Sequence, residues 1–272
     1  MRFSFRTFLS LFVVVFSVFA MVCGSAEGLD APEARSLGKA SSAAQWTWMH
    51  GSNSVNAYGS YGTLGESSAT TTPGARRGAA TWRDATGALW LFGGFGYGAS
   101  GGTGYLNDLW KFDPASGRWT WIKGSSSINQ PGVYGTQGVA ATGNRPGGRV
   151  DAVTWFDESG RLWLFGGTGY GSTTQHLLND LWRYDPDSGN WAWMKGRSNA
   201  EQAGVYGELG EAGETNTPGS RRGAVSWTDG ADVFWIFGGY GIDENSQMGA
   251  LNDVWKYDCS TGDWTWMKGA KQ

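Results

Sequence analysis

Apolar residues along this chain come in short runs, each closed by a turn signal. Residues 89–92 read LWLF, so Leu89 and Leu91 face one side of a strand and Trp90 and Phe92 the other. A strand apolar on both sides is buried on both, in a sheet sandwiched between neighbours. The surrounding pattern predicts three more strands, at 78–82 (GAATW), 109–113 (LWKFD) and 119–122 (WTWI). Asp84-Ala85-Thr86-Gly87 joins the first pair, and Asp113-Pro114-Ala115-Ser116-Gly117 the last pair. These are tight turns: Asp and Pro suit the early positions, and Gly accepts a positive φ.

The same four-strand pattern returns. Trp-x-Trp occurs at Trp46/Trp48, Trp119/Trp121, Trp191/Trp193 and Trp264/Trp266, in steps of 73, 72 and 73 residues. A Gly doublet follows the second strand at Gly93-Gly94, Gly166-Gly167 and Gly238-Gly239. Asn-Asp opens the third strand at Asn107-Asp108, Asn179-Asp180 and Asn252-Asp253. Three complete units result, at about 75–123, 148–195 and 220–268, preceded by one extra fourth-strand-like segment at residues 45–49. Four-stranded sheets packed face to face about an axis make a β-propeller.

Composition supports an all-β reading. Of 272 residues 45 are Gly, against a usual ~7%, and 17 are Trp. Disordered Gly-rich chains lack such large apolar residues. The 17 Trp are five strand positions used three times, plus Trp46 and Trp48. A formal net charge of −3 leaves no basic footprint for nucleic acid. Only Cys23 and Cys259 are present, so no disulfide framework is expected.

Arg2 and Arg6 precede an almost wholly apolar run at residues 8–22, and Gly24-Ser25-Ala26 supplies small residues after it. This order predicts a secretory signal peptide over 1–26. An uncleaved anchor needs a longer run, and lipidation at Cys23 is a third reading. A polar linker is expected over 27–44, then a body at 45–269 that is secreted or extracytoplasmic, in a periplasm or on a cell surface. No later apolar run is long enough for a span.

The Gly doublet after an apolar strand, Asn-Asp-Leu-Trp, Asp-Pro-x-Ser-Gly and the final Trp together resemble kelch repeats, over roughly residues 46–269. The resemblance implies a kelch-type β-propeller of three full blades plus one extra N-terminal strand. Three blades do not close a ring, since propellers hold ~4–8. In many kelch propellers an N-terminal strand completes the last blade; here the last unit already has its fourth strand, at Trp264–Met267. The chain is then a fragment of a longer propeller, one of two or more chains completing a ring, or an open stack. Open blade faces predict self-association.

Long connections on a rigid scaffold are where propellers place function. Tyr58, Tyr134 and Tyr206 fall in the connections before each unit, and Tyr97 and Tyr170 in those after the Gly doublets. All lie on one rim, either packing their own Gly-rich loops or contacting a protein or glycan. Arg76, Arg149 and Arg221 recur just before the first strand, where a ring of guanidinium forks would read an anion. The alternative is pairing with Asp108, Asp180 and Asp253, which recur in step. Some secreted kelch-like propellers are copper oxidases and others act on sialic acid, so a carbohydrate-active enzyme, or part of one, is the alternative to a binding module. His50 and His176 alone make no ligand cluster, and no cofactor or catalytic motif is implied.

Overall fold

The computed structural model describes residues 46–230 and 232–271. The stretches expected to be a signal peptide (1–26) and a linker (27–44) lie outside the described residues. No helix among those described is long and apolar enough to cross a membrane.

The first blade is built from β1 (Ser67–Ser68), β2 (Arg76–Arg77), β3 (Ala80–Arg83), β4 (Leu89–Phe92), β5 (Phe95–Tyr97), β6 (Thr103–Tyr105), β7 (Leu109–Asp113) and β8 (Arg118–Lys123). The second contains β9 (Arg149–Val150), β10 (Val153–Phe156), β11 (Leu162–Phe165), β12 (Thr168–Tyr170), β13 (Gln175–Leu177), β14 (Leu181–Asp185) and β15 (Asn190–Lys195). The third contains β16 (Ala212–Gly213), β17 (Arg221–Arg222), β18 (Val225–Thr228), β19 (Val233–Ile242), β20 (Met248–Asp258) and β21 (Asp263–Lys268). The expected four strands appear as β3-β4-β7-β8, β10-β11-β14-β15 and β18-β19-β20-β21, antiparallel throughout. This is a partial β-propeller. Each blade carries a bulge just after its Asn-Asp, at Leu109/Trp110, Leu181/Trp182 and Val254/Trp255.

The long connections are not free loops. The segment before each blade runs along that blade's outer edge and hydrogen-bonds to its last strand: β1 on β8, Ala141 on Trp191, β16 on β21. Of the segment 45–49, expected as an extra strand, the described residues 46–49 join no ladder. Trp48 Nε1 nevertheless donates to the His50 carbonyl at 2.8 Å, as Trp121, Trp193 and Trp266 donate to Lys123, Lys195 and Lys268.

The cores lie between blades. Ala80, Trp82, Trp90 and Phe92 of the first blade meet Leu162, Leu164, Trp182, Tyr184 and Trp191 of the second. Val153, Trp155, Trp163 and Phe165 meet Phe234, Ile236, Trp255, Tyr257 and Trp264 in the same way. Of the described second strands only β11 is buried at all its positions, because among the described blades the middle one has two neighbours. On the outer blades Leu89 and Phe237 are exposed.

The Gly doublets seat one blade on the next. Gly93 and Gly94 have φ of 65° and 99°, a region most side chains avoid. A Cβ on Gly93 would lie 2.8 Å from the Arg149 carbonyl oxygen. The turn lets Gly94 N–H donate to that carbonyl, and Gly167 N–H to Arg221, at 2.8 Å each. Among the described residues no following blade takes this bond from the third doublet. There β19 runs through Gly238-Gly239 as one strand, with only a register shift.

Candidate functional site

The recurring arginines sit beneath the rim hairpins, each on the short strand that pairs with the hairpin's first arm. Arg149 Nη1 and Nη2 donate to the two oxygens of Asp180 at 2.6 and 2.8 Å. Nη1 also reaches the Gly166 carbonyl, and Nε that of Gly147. Asp180 Oδ2 accepts two further bonds, from Tyr134 Oη at 2.6 Å and Trp182 Nε1 at 2.7 Å. Arg76–Asp108 with Tyr61 and Trp110, and Arg221–Asp253 with Tyr206 and Trp255, repeat the arrangement. Arg149 and Arg221 are 1% exposed, and all three aspartates at most that.

Burial pushes the Tyr61, Tyr134 and Tyr206 hydroxyls well above the usual phenol range, and the facing carboxylates add to it. Burial alone would raise Asp253; the bonds and charge of Arg221 outweigh it and hold that carboxyl below its ordinary value. Of the two arrangements open to the arginines, the geometry is the ion pair with the aspartates. Their forks are filled from inside the protein. Tyr134 and Tyr206 are buried in the same networks. Their first-blade counterpart is Tyr61, not Tyr58: Gly59-Ser60-Tyr61-Gly62 aligns with Gly132-Val133-Tyr134-Gly135.

Above these networks lies the rim proper, formed by hairpins β5–β6 and β12–β13 and the far halves of β19 and β20. Tyr97 and Tyr170 are here, half-buried. Tyr97 meets exposed Tyr58 edge-on at 5.2 Å, and Tyr58 Oη donates to the Gly101 carbonyl at 2.6 Å. Phe95, Tyr105 and Tyr170 form a second run, with centroids 5.2 and 5.9 Å apart, that crosses from the first blade to the second. The Arg77 guanidinium stands over Phe95 at 5.1 Å, and Gln175 Nε2 lies 3.5 Å from Tyr105 Oη. Arg222 over Tyr240 echoes this on the third blade, while His176 Nδ1, on β13, lies 3.1 Å from a Glu201 carboxylate oxygen.

Phe95 and Tyr105 were not singled out from the sequence. Repeat alignment hides them, because Thr168 and Tyr240 replace Phe95, and Leu177 and Ala250 replace Tyr105. The available signal was the departure itself: two aromatics where the next unit has neither.

A separate open groove of about 300 Å³ lies at the opposite, short-turn end of the first strands, lined by Trp82, Arg83, Trp155, Phe156 and Trp227 among others. Thr154 Oγ1 donates to the Thr81 carbonyl there, joining β10 to β3. Among the described residues no group of three or more His, Cys, Asp or Glu could hold a metal ion. His50 lies edge-on to Phe112 on the first blade, far in sequence and setting from His176 on the rim of the second.

The fold thus defines a class, a partial β-propeller with buried Arg–Asp–Tyr–Trp networks and an aromatic rim. The chain matches no family model and no curated protein. Among solved structures it is similar to that described as "Structure of YjhT", at 17% identity and a TM-score of 0.46. The match takes in 75% of this chain and 55% of that one, so the chain spans about half the length of that protein.

Proposed function

We propose that the protein is an exported, kelch-type binding module that takes a protein or glycan ligand on its long-connection rim. The observation carrying this reading is the half-exposed run Phe95–Tyr105–Tyr170, with Arg77 over Phe95 and Gln175 beside the Tyr105 hydroxyl. Ring faces supply apolar contact at little conformational cost, and the flanking donors orient a polar partner. Tyr58 and Tyr97 extend the same surface. The motifs around the Gly doublets and the Asn-Asp pairs support the kelch assignment, and the apolar run at 8–22 supports export.

The test is a glycan and peptide array probed with the purified chain, followed by titration of the best ligand against a Tyr105→Ala/Tyr170→Ala variant. Loss of two central anchors should weaken binding at least about tenfold, or ~1.4 kcal/mol. Unchanged affinity with native circular dichroism would refute the assignment of the rim.

A further inference from the structure

We propose that two copies of this chain close into one six-bladed ring, through two identical seams that repeat the packing already present between its own blades. The two internal seams share one plan. In the first, Trp90 packs on Tyr184 at 5.9 Å and Phe92 on Trp191 at 5.5 Å. In the second, Trp163 packs on Tyr257 at 5.6 Å and Phe165 on Trp264 at 5.3 Å. One step further along the repeat, the donor residues are Trp235 and Phe237, and among the described residues no fourth blade receives them. The matching acceptors are Phe112 and Trp119 on the outward face of the first blade.

The third-blade face is open: Val225 is 61% exposed, Trp227 42% and Phe237 43%. On the first-blade face Leu89 is 41% exposed and Trp119 half-buried, while Phe112 is 7% exposed, beside His50. Val225 and Trp227 stand where Val153 and Trp155 are buried, and Leu89 where Leu162 is fully buried. Each copy therefore carries both halves of a seam whose complementarity the molecule displays twice. A head-to-tail contact of this kind forms a ring if its rotation closes and a filament if it does not. Copies that each contribute the three described blades give three, six or nine. Only six falls within the ~4–8 blades that propellers hold.

Polar contacts extend the same plan. Lys123 Nζ donates to the Gly189 carbonyl across the first seam at 2.7 Å, and Lys195 pairs with Asp263 across the second at 3.1 Å. At the outer seam Lys268 would face Arg118, which stands in the place of Asp263. Lys268 can there use only the first pattern, donating to the Gly117 carbonyl. His50, now edge-on to Phe112 at 6.3 Å, must move aside as the seam forms.

Sedimentation of the purified chain should give a species of twice the chain mass. Trp227→Asp and Leu89→Asp each place a charge in both seams of a homodimer, at positions already exposed in the single chain, so each variant should be folded and monomeric. An equimolar mixture of the two restores one intact seam and should dimerise more tightly than either alone. Trp48→Ala, which loosens the segment carrying His50, should leave the dimer intact. A native chain that stays monomeric, an open series of larger species, or a mixture no better than its components would overturn the proposal. Ligand binding by the rim of one copy is measured separately and is unaffected by that outcome.

Discussion

Truncating Arg149 to Ala probes whether the buried networks hold the blades together. The side chain is 1% exposed and makes four hydrogen bonds, two of them to a carboxylate that is itself fully buried. Removing one partner of a buried ion pair leaves an uncompensated charge and costs about 3–5 kcal/mol. Two backbone carbonyls, of Gly147 and Gly166, lose their side-chain donor as well. Asp180 keeps Tyr134 and Trp182, which places the loss toward the lower end of that range. For a chain of this size the melting temperature should fall by roughly 6–20 °C, from ~2–4 °C per kcal/mol. Replacing both partners, as Arg149→Met with Asp180→Leu, does not rescue the protein as it does for simple buried pairs. The Tyr134 hydroxyl and the Trp182 indole are then buried without an acceptor. Equilibrium urea unfolding, followed by tryptophan fluorescence, measures both variants. A loss below about 1 kcal/mol for Arg149→Ala would refute this reasoning. If weakened binding of an anionic ligand accompanied that small loss, the anion-reading alternative for the arginines would be restored.

Two pH-linked predictions follow from other groups. The Cys259 thiol is pushed up to about 12, chiefly by burial and then by Asp232 and Asp157. Its alkylation at mildly alkaline pH, read by peptide mass, should therefore be slow in native protein and speed up by orders of magnitude in urea, where an ordinary thiol titrates near ~8.5; equal rates would contradict the buried setting. Burial alone raises the Asp84 carboxyl, but bonds from Thr86, Trp90 and the Ala88 amide bring it down to about 2. A depressed carboxylate stabilises above its unfolded pKa of ~3.9, and the gain disappears as pH falls through the folded value. Stability should thus drop between about pH 4 and about pH 2, with Asp253 contributing in the same direction. Asp84→Asn should lower stability at neutral pH and flatten the acid dependence; an unchanged acid profile would count against the bond set.

Periodicity alone determined the blades, because strand alternation and turn chemistry are local. Leu89–Phe92 and Leu109–Asp113 begin and end in the structure where the pattern placed them. The local signal says which side of a strand is apolar, and not which surface covers it. It therefore read Leu89–Phe92 as doubly buried, whereas Leu89 is exposed and the fully buried strand is its counterpart β11. The networks were half legible. Recurrence of Arg149 and Asp180 suggested a pair, but Tyr134 and Trp182 join it only because the outer-edge segment and the third strand converge on one carboxylate. The misplaced tyrosine has the same origin: Tyr58-Gly59 and Tyr61-Gly62 look alike in sequence, and only the contact with Asp108 separates them. The rim run Phe95–Tyr105–Tyr170 spans two blades, so no repeat position announces it. Sequence determined what each unit is, since that depends on neighbours along the chain. Tertiary structure decided which faces are filled, which carboxylate collects the donors and which aromatics remain at the surface, since those depend on neighbours across space.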